Sequence, residues 1–217
     1  MIILGLTGSI GMGKSTAAAM LRRLGCRVDD ADRAVHRLMG PNGRALPAIE
    51  AAFPGVVGLG GVDRQALGAR VFGDPAALKR LEAILHPMVT QARDRFLKRC
   101  ARDRVRYAVL DVPLLFETGL DRRCDLTILV TAPPVVQAHR VLRRPGMTAA
   151  KLADIRARQM PEAEKRRRAD IVIQTGRGRG PVLQALRRAL KLARTKGGRH
   201  WPPRPVPRFA ARPGPRR

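Results

Sequence analysis

The chain has 217 residues with 45% hydrophobic and only 3% aromatic content, enough for one α/β domain with an insertion and too short for two independent domains. No apolar run is long enough for a membrane span, and Cys26, Cys100 and Cys124 are too scattered for a disulfide framework or a CxxC site, so reduced thiols and a cytoplasmic location are expected. The formal charge is +26, of which the final segment Lys196–Arg217 supplies only +7. Such a balance favours polyanionic partners, whether nucleotides, phosphorylated metabolites or nucleic acid, or reflects solvated arginine on helix faces.

In chain order, Ile2–Leu6 reads as a buried parallel strand rather than a leader, since it has neither a basic flank nor a long apolar stretch. Ser15–Leu24 reads as a helix stopped by Gly25, and Cys26–Asp29 as a second strand. From Ala31 to about Arg104 apolar residues recur at helical spacing, as in Leu78, Leu81, Ile84 and Leu85, with breaks at Pro41-Asn42-Gly43, Pro54-Gly55 and Gly60-Gly61. Tyr107–Leu110, Leu126–Val130 and Ile171–Ile173 are further strands. Pro133–Leu142, Thr148–Gln159 and Pro181–Ala193 are helices, with Thr148 an N-cap. Strands alternating with helices predict an α/β, mostly parallel three-layer sheet. Its core would be residues 1–30 and 105–195, with a helical insertion over about 31–104 and a lid over about 140–160. Lys196–Arg217 holds six prolines and no acid, and is expected to be disordered.

Gly8-Ser9-Ile10-Gly11-Met12-Gly13-Lys14-Ser15 fits GxxxxGK[ST] between a strand and a helix. Glycines allow successive N–H groups to converge on phosphate oxygens, and the helix N-terminus adds its dipole. Lys14 can reach the β and γ phosphates, and the Ser15 hydroxyl is placed for Mg²⁺. A dinucleotide GxGxxG is absent from this turn, so a P-loop binding a nucleoside triphosphate is expected. The loop alone does not separate kinases from other P-loop proteins, but there is no room for a helicase or transporter core and no NKxD-like guanine motif.

Several segments together resemble the dephospho-CoA kinase family: Leu6–Thr16; Val28-Asp29-Asp30-Ala31-Asp32; Ile84-Leu85-His86-Pro87; Asp111–Glu117; Arg140 with Arg144; Gln159; and Ala169–Ile173. The likeness runs from Ile2 to Gly176. It departs at Met12, where a small residue is common; at Thr175, where the family often has Asn; and in the basic tail. The resemblance implies transfer of the γ-phosphoryl of ATP to the 3′-hydroxyl of dephospho-CoA, with Mg²⁺.

By that resemblance, Asp32 is the carboxylate for the attacking hydroxyl, with an N-cap as its alternative role and Asp30 as the reserve candidate. Gly8, Gly11, Met12, Gly13, Lys14, Ser15 and Thr16 bind nucleotide. Arg140 and Arg144, one helical turn apart, neutralise transferring charge. Asp30, Arg64, His86, Pro113, Leu114 and Glu117 face the acceptor, although a histidine in an apolar helical run is also what a buried, hydrogen-bonded core residue looks like. Asp111 holds a Mg²⁺-bound water. Competing readings are another small-molecule kinase, such as a nucleoside monophosphate kinase, and a nucleic-acid-stimulated ATPase. Sparse aromatics disfavour the latter, and nucleic acid is expected only as a weak partner of the tail.

Overall fold

Seen in a computed structural model that describes residues 1–202, β1 (Ile2–Thr7) is buried along its whole length, as a strand with partners on both sides and helices on both faces must be. The phosphate-loop turn leads into α1 (Lys14–Arg23), then β2 (Arg27–Asp30) and α2 (Ala31–Met39). The insertion continues with α3 (Leu46–Ala52), a hairpin of β3 (Val57–Gly58) and β4 (Gly61–Val62), α4 (Arg64–Val71) and α5 (Pro75–Arg102). After it come β5 (Tyr107–Asp111), β6 (Leu126–Thr131), α6 (Pro134–Leu142), α7 (Ala149–Arg158), α8 (Glu162–Arg168), β7 (Ile171–Gln174) and α9 (Arg179–Lys196). Five strands pair in parallel in the order β2-β5-β1-β6-β7.

The period of two along β1 sorts its side chains between two cores. Leu4 and Leu6 join Val109, Ile128 and Ile173 under Leu21 of α1 and Leu186 of α9. Ile3 joins Ala108 and Leu110 on the other face, against Leu97 and Cys100 of α5. A third cluster, including Ile49, Phe53, Val62 and Leu67, closes the insertion on itself.

Helix α5 ties insertion to core. Asp74 caps it, accepting from Ala76 N and Ala77 N, and Pro75 occupies its first position. Its 28 residues span about 42 Å. The first half packs in the insertion cluster and the second half under the sheet, so Pro87 is accommodated within one continuous helix.

Three features depart from the sequence expectations. The two-residue strands β3 and β4 are too short to show a period of two. Helix α8 was not expected, because Glu162–Arg168 is charged almost throughout; it forms around the fully buried Lys165. The segment from Lys196 is ordered as far as it is described. Lys196 ends α9 and bonds Asp170 at 3.2 Å, and Asp125 accepts from Arg199 N, His200 N and the His200 ring. Trp201 packs against the core beside Met1 and Val105. The expectation of disorder for residues 203–217 lies outside the described residues.

Asp125 also accepts from Ile3 N at 2.7 Å. Burial by itself raises its carboxyl, but these hydrogen bonds bring it below the ordinary aspartate value of 3.8. A depressed carboxyl contributes stability that is present above that value and is lost as pH falls through the lower, folded one. Asp125→Ala should therefore cost about 1–3 kcal/mol at neutral pH in chemical denaturation and shift the emission of Trp201 to the red, with the wild type converging on the variant's stability in acid.

Candidate active site

The phosphate loop is shaped from outside. Gly8 lies so close to Val130 that a Cβ there would sit 2.6 Å from its carbonyl oxygen, and Gly13, at φ 88°, turns the chain into α1. The carbonyls of Ile10, Gly11 and Met12 each accept from a distant side chain: Gln137 Nε2 at 2.7 Å, Arg140 Nη1 at 3.3 Å and Thr175 Oγ1 at 2.8 Å. Arg140 also bonds the Thr175 hydroxyl and carbonyl, both at 2.9 Å. No side chain caps α1, so its first N–H groups are free for an anion.

Lys14 Nζ lies 2.7 Å from Asp111 Oδ1 and 4.0 Å from Asp32 Oδ2. Asp111, at the end of β5, is buried. Desolvation raises its carboxyl, and the Lys14 ammonium beside it offsets only part of this. Asp32 projects into the open, its side chain 68% exposed. The N-cap role considered for Asp32 belongs to Asp30, which accepts from Arg33 N at 3.0 Å and starts α2 at Ala31. Asp32 is thereby placed in the first helical turn, free to face Lys14.

Three cavities adjoin Asp32: the first, of about 920 Å³, runs past Lys14, Asp30, His36 and Arg37, and the other two share a wall. One, of about 690 Å³, is lined by the loop from Gly8 to Thr16, by Arg140 and Arg144, and by Thr175. The other, of about 940 Å³, runs between α2, α5 and the Pro113–Thr118 turn and includes His86, Arg93, Leu114 and Glu117. Asp32, Pro113, Ile155 and Gln159 line both. Among the described residues the Gln159 Oε1 atom, buried in this shared wall, has no hydrogen-bond partner.

Several expected site residues stand differently from their sequence reading. Met12 turns its side chain into the core, where Sδ accepts from Ala132 N at 3.0 Å, so only its backbone faces the cavity. Arg144 lies beyond the end of α6 rather than one turn along it, yet still lines the nucleotide-sized cavity. His86 is exposed on α5, not a buried core histidine. Arg64 bonds His36 Nε2 at 2.8 Å, outside the two cavities that share a wall. Glu117 faces the larger cavity but is also held by Lys165, at 2.9 Å, and by Met160 N; burial raises its carboxyl, and these contacts bring it below the usual range. Sequence reading passed over Gln137 altogether and noted Thr175 only as a departure, because a single Gln or Thr carries no motif until the chain folds back 127 or 163 residues onto the loop.

A strand–glycine loop–helix at the carboxyl ends of a parallel sheet, with Lys14 between two carboxylates, defines a P-loop nucleotide-binding protein. The profile of the dephospho-CoA kinase family matches residues 2–178. A dephospho-CoA kinase of Rhodospirillum rubrum is 60% identical over 201 residues, covering 92% of this chain and 95% of that one. One of Mesorhizobium japonicum is 60% identical, covering 82% and 89%. A solved structure from Thermus thermophilus is 38% identical with a TM-score of 0.77, covering 90% of this chain and 98% of its own. The dephospho-CoA kinase of Campylobacter jejuni, at 22% identity and a TM-score of 0.58, shares the fold. The chain belongs to the dephospho-CoA kinase family.

Two stability outcomes follow from the geometry. Asp30→Ala should cost about 1 kcal/mol through the lost cap. Glu117→Ala should cost about 3–5 kcal/mol, because it strands the buried Lys165 charge; urea denaturation of both variants at pH 7 measures the difference.

Proposed function

We propose that the chain transfers the γ-phosphoryl group of ATP to the 3′-hydroxyl of dephospho-CoA, giving coenzyme A and ADP. The observation that carries this reading is Asp32 standing in the wall shared by two cavities, 4.0 Å from the loop lysine. A nucleotide in the smaller cavity and an acceptor in the larger one would meet there. Their chemistry needs positioning and charge neutralisation more than covalent participation.

In this reading the loop N–H groups from Gly8 to Thr16 hold the phosphates, and Lys14 moves from Asp111 toward the bridging oxygens. Asp32 orients the attacking hydroxyl and takes its proton. Arg144 neutralises the transferring group, while Arg140, bonded to the loop and to Thr175, keeps the cradle in shape. The insertion, residues 31–104, offers the acceptor surface through α2 and α5, completed by Pro113, Leu114, Glu117 and His86. Arg64 acts only at its edge, through His36. The segment 140–160 serves as the lid.

Mg²⁺ fits the residues present. The Ser15 hydroxyl and the carboxylates of Asp32 and Asp111 line one cavity beside Lys14, an all-oxygen donor set that suits an ion arriving with the nucleotide and keeping phosphate and water ligands. Ser15 would ligate it and Asp111 would hold one of its waters; bound there, it supplies neutralisation of the β and γ oxygens. Among the described residues no helix is long and apolar enough to cross a membrane. The three cysteines are free and buried, and burial pushes the Cys26 and Cys124 thiols up to about 11 and 12. Such thiols are unreactive in any compartment, and the cytoplasmic setting in this proposal rests on the scattered, unpaired cysteines of the sequence. Nucleic acid is not required, and the basic C-terminal segment would bind polyanions weakly, with steep salt dependence.

The test is purified protein with Mg·ATP and dephospho-CoA, with coenzyme A detected by mass. Failure to form it, or ATP hydrolysis stimulated by nucleic acid instead, overturns the reading. Lys14→Ala should abolish transfer in a chain that still folds, at some cost in stability because the buried Asp111 carboxylate loses its partner. Asp32→Asn should lower kcat about 10²-fold or more with little change in either KM. Asp30→Asn, a cap variant, should retain most turnover; the reverse ranking of the two would reassign the base.

A further inference from the structure

Gln137 is 3% exposed, and both ends of its amide are engaged. Nε2 donates to the Ile10 carbonyl at 2.7 Å, while Oε1 accepts from Arg156 Nε at 3.0 Å and from Arg156 Nη2 as well. The first contact is with the phosphate loop and the second with α7. We propose that Gln137 is a positioning residue that couples the two, so that seating α7 over the cavities and holding the loop in its phosphate-binding shape are one event.

The choice of side chain follows from the chemistry. A carboxylate at this place would bind Arg156 but could not donate to Ile10, and an ammonium would donate but could not accept from a guanidinium. A neutral amide does both at once. The loop rests on the same residue: a Cβ on Gly11 would fall 3.1 Å from the Gln137 carbonyl oxygen and 3.3 Å from its Cγ. Helix α7 in turn carries Ile155, one of the residues common to both cavities, and leads directly into Gln159, another. Lifting α7 must break the Arg156 contacts, open both cavities and leave the Ile10 carbonyl held by an amide with no second anchor. Because an arginine–amide contact is charge-assisted, its loss is large enough to read in binding.

The proposal rests on the phosphoryl-transfer reading for its kinetic arm, but its binding arm does not need the acceptor. Binding of a non-hydrolysable ATP analogue with Mg²⁺ is measured by calorimetry for the wild type, Arg156→Met, Arg156→Lys, Gln137→Glu, Gln137→Met and the double Met variant. Arg156→Met, a change on an exposed residue, should weaken analogue binding about 5-fold, and Arg156→Lys should recover part of it by keeping one donor. Gln137→Glu retains the Arg156 pair and sets a carboxylate against the Ile10 carbonyl, so it too should weaken binding, and in turnover it should raise the KM for ATP more than it lowers kcat. The double Met variant should bind no more weakly than Gln137→Met alone. Affinity of Arg156→Met within twofold of wild type, or single effects that multiply in the double variant, would overturn the coupling. If Gln137→Met fails to fold, the Arg156 pair and Gln137→Glu still decide it. Absence of coenzyme A formation by the wild type sinks the functional reading instead and leaves the binding arm standing.

Discussion

Three successive carbonyls, those of Ile10, Gly11 and Met12, are pulled outward by Gln137, Arg140 and Thr175, and the phosphate cradle exists because of that pull. In a trans peptide the N–H points opposite to the C=O, so anchoring the Ile10 and Met12 oxygens on the outside turns the Gly11 and Gly13 N–H groups inward. Met12 N closes the turn on Ser9 O at 3.2 Å. Glycine supplies the freedom to adopt this shape, with φ 75° at Gly11 and 88° at Gly13. The three clamps remove the alternatives to it, and all three come from the β6–β7 half of the molecule.

The charges of the site are graded by burial. Asp111 is buried and pairs its carboxylate with the Lys14 ammonium, whereas Asp32 is mostly exposed. A buried carboxylate whose charge is disfavoured by desolvation keeps a lysine close by and oriented. An exposed one remains free to meet a hydroxyl. What separates the two is the start of α2: because Asp30 takes the cap, Asp32 lies two residues into the helix and is turned toward the cavity.

In a chain with only 17 acidic residues against 43 Lys and Arg, the acids are used as anchors. Asp125 gathers the Ile3 amide and the Arg199–His200 segment, Asp170 joins Thr127 to Lys196, and Glu117 holds the buried Lys165 of α8. Asp121 reaches Arg168 at 2.9 Å. Each connects elements distant in sequence.

Local information in the sequence was enough for the five strands of the parallel sheet, for the loop and for most helices. A run such as Ile2–Leu6 followed by GxxxxGK[ST] carries its own conformation through β propensity, glycine freedom and helix start. The same holds for Thr148, whose hydroxyl accepts from Lys151 N as a cap. Pairs formed across the fold were not legible: a Gln, a Thr and a Met have no preferred partner until β6, α6 and β7 are stacked beside the loop. Helix α8 was missed because its apolar face is the stem of one lysine, buried only because Glu117 is there to meet it. The segment after Lys196 was read from proline content and charge, yet Asp125 and the core beneath Trp201 hold its described part. Composition reports how much surface a segment can bury by itself; whether another element offers it hydrogen bonds and a surface to lie on is decided only when the tertiary structure has formed.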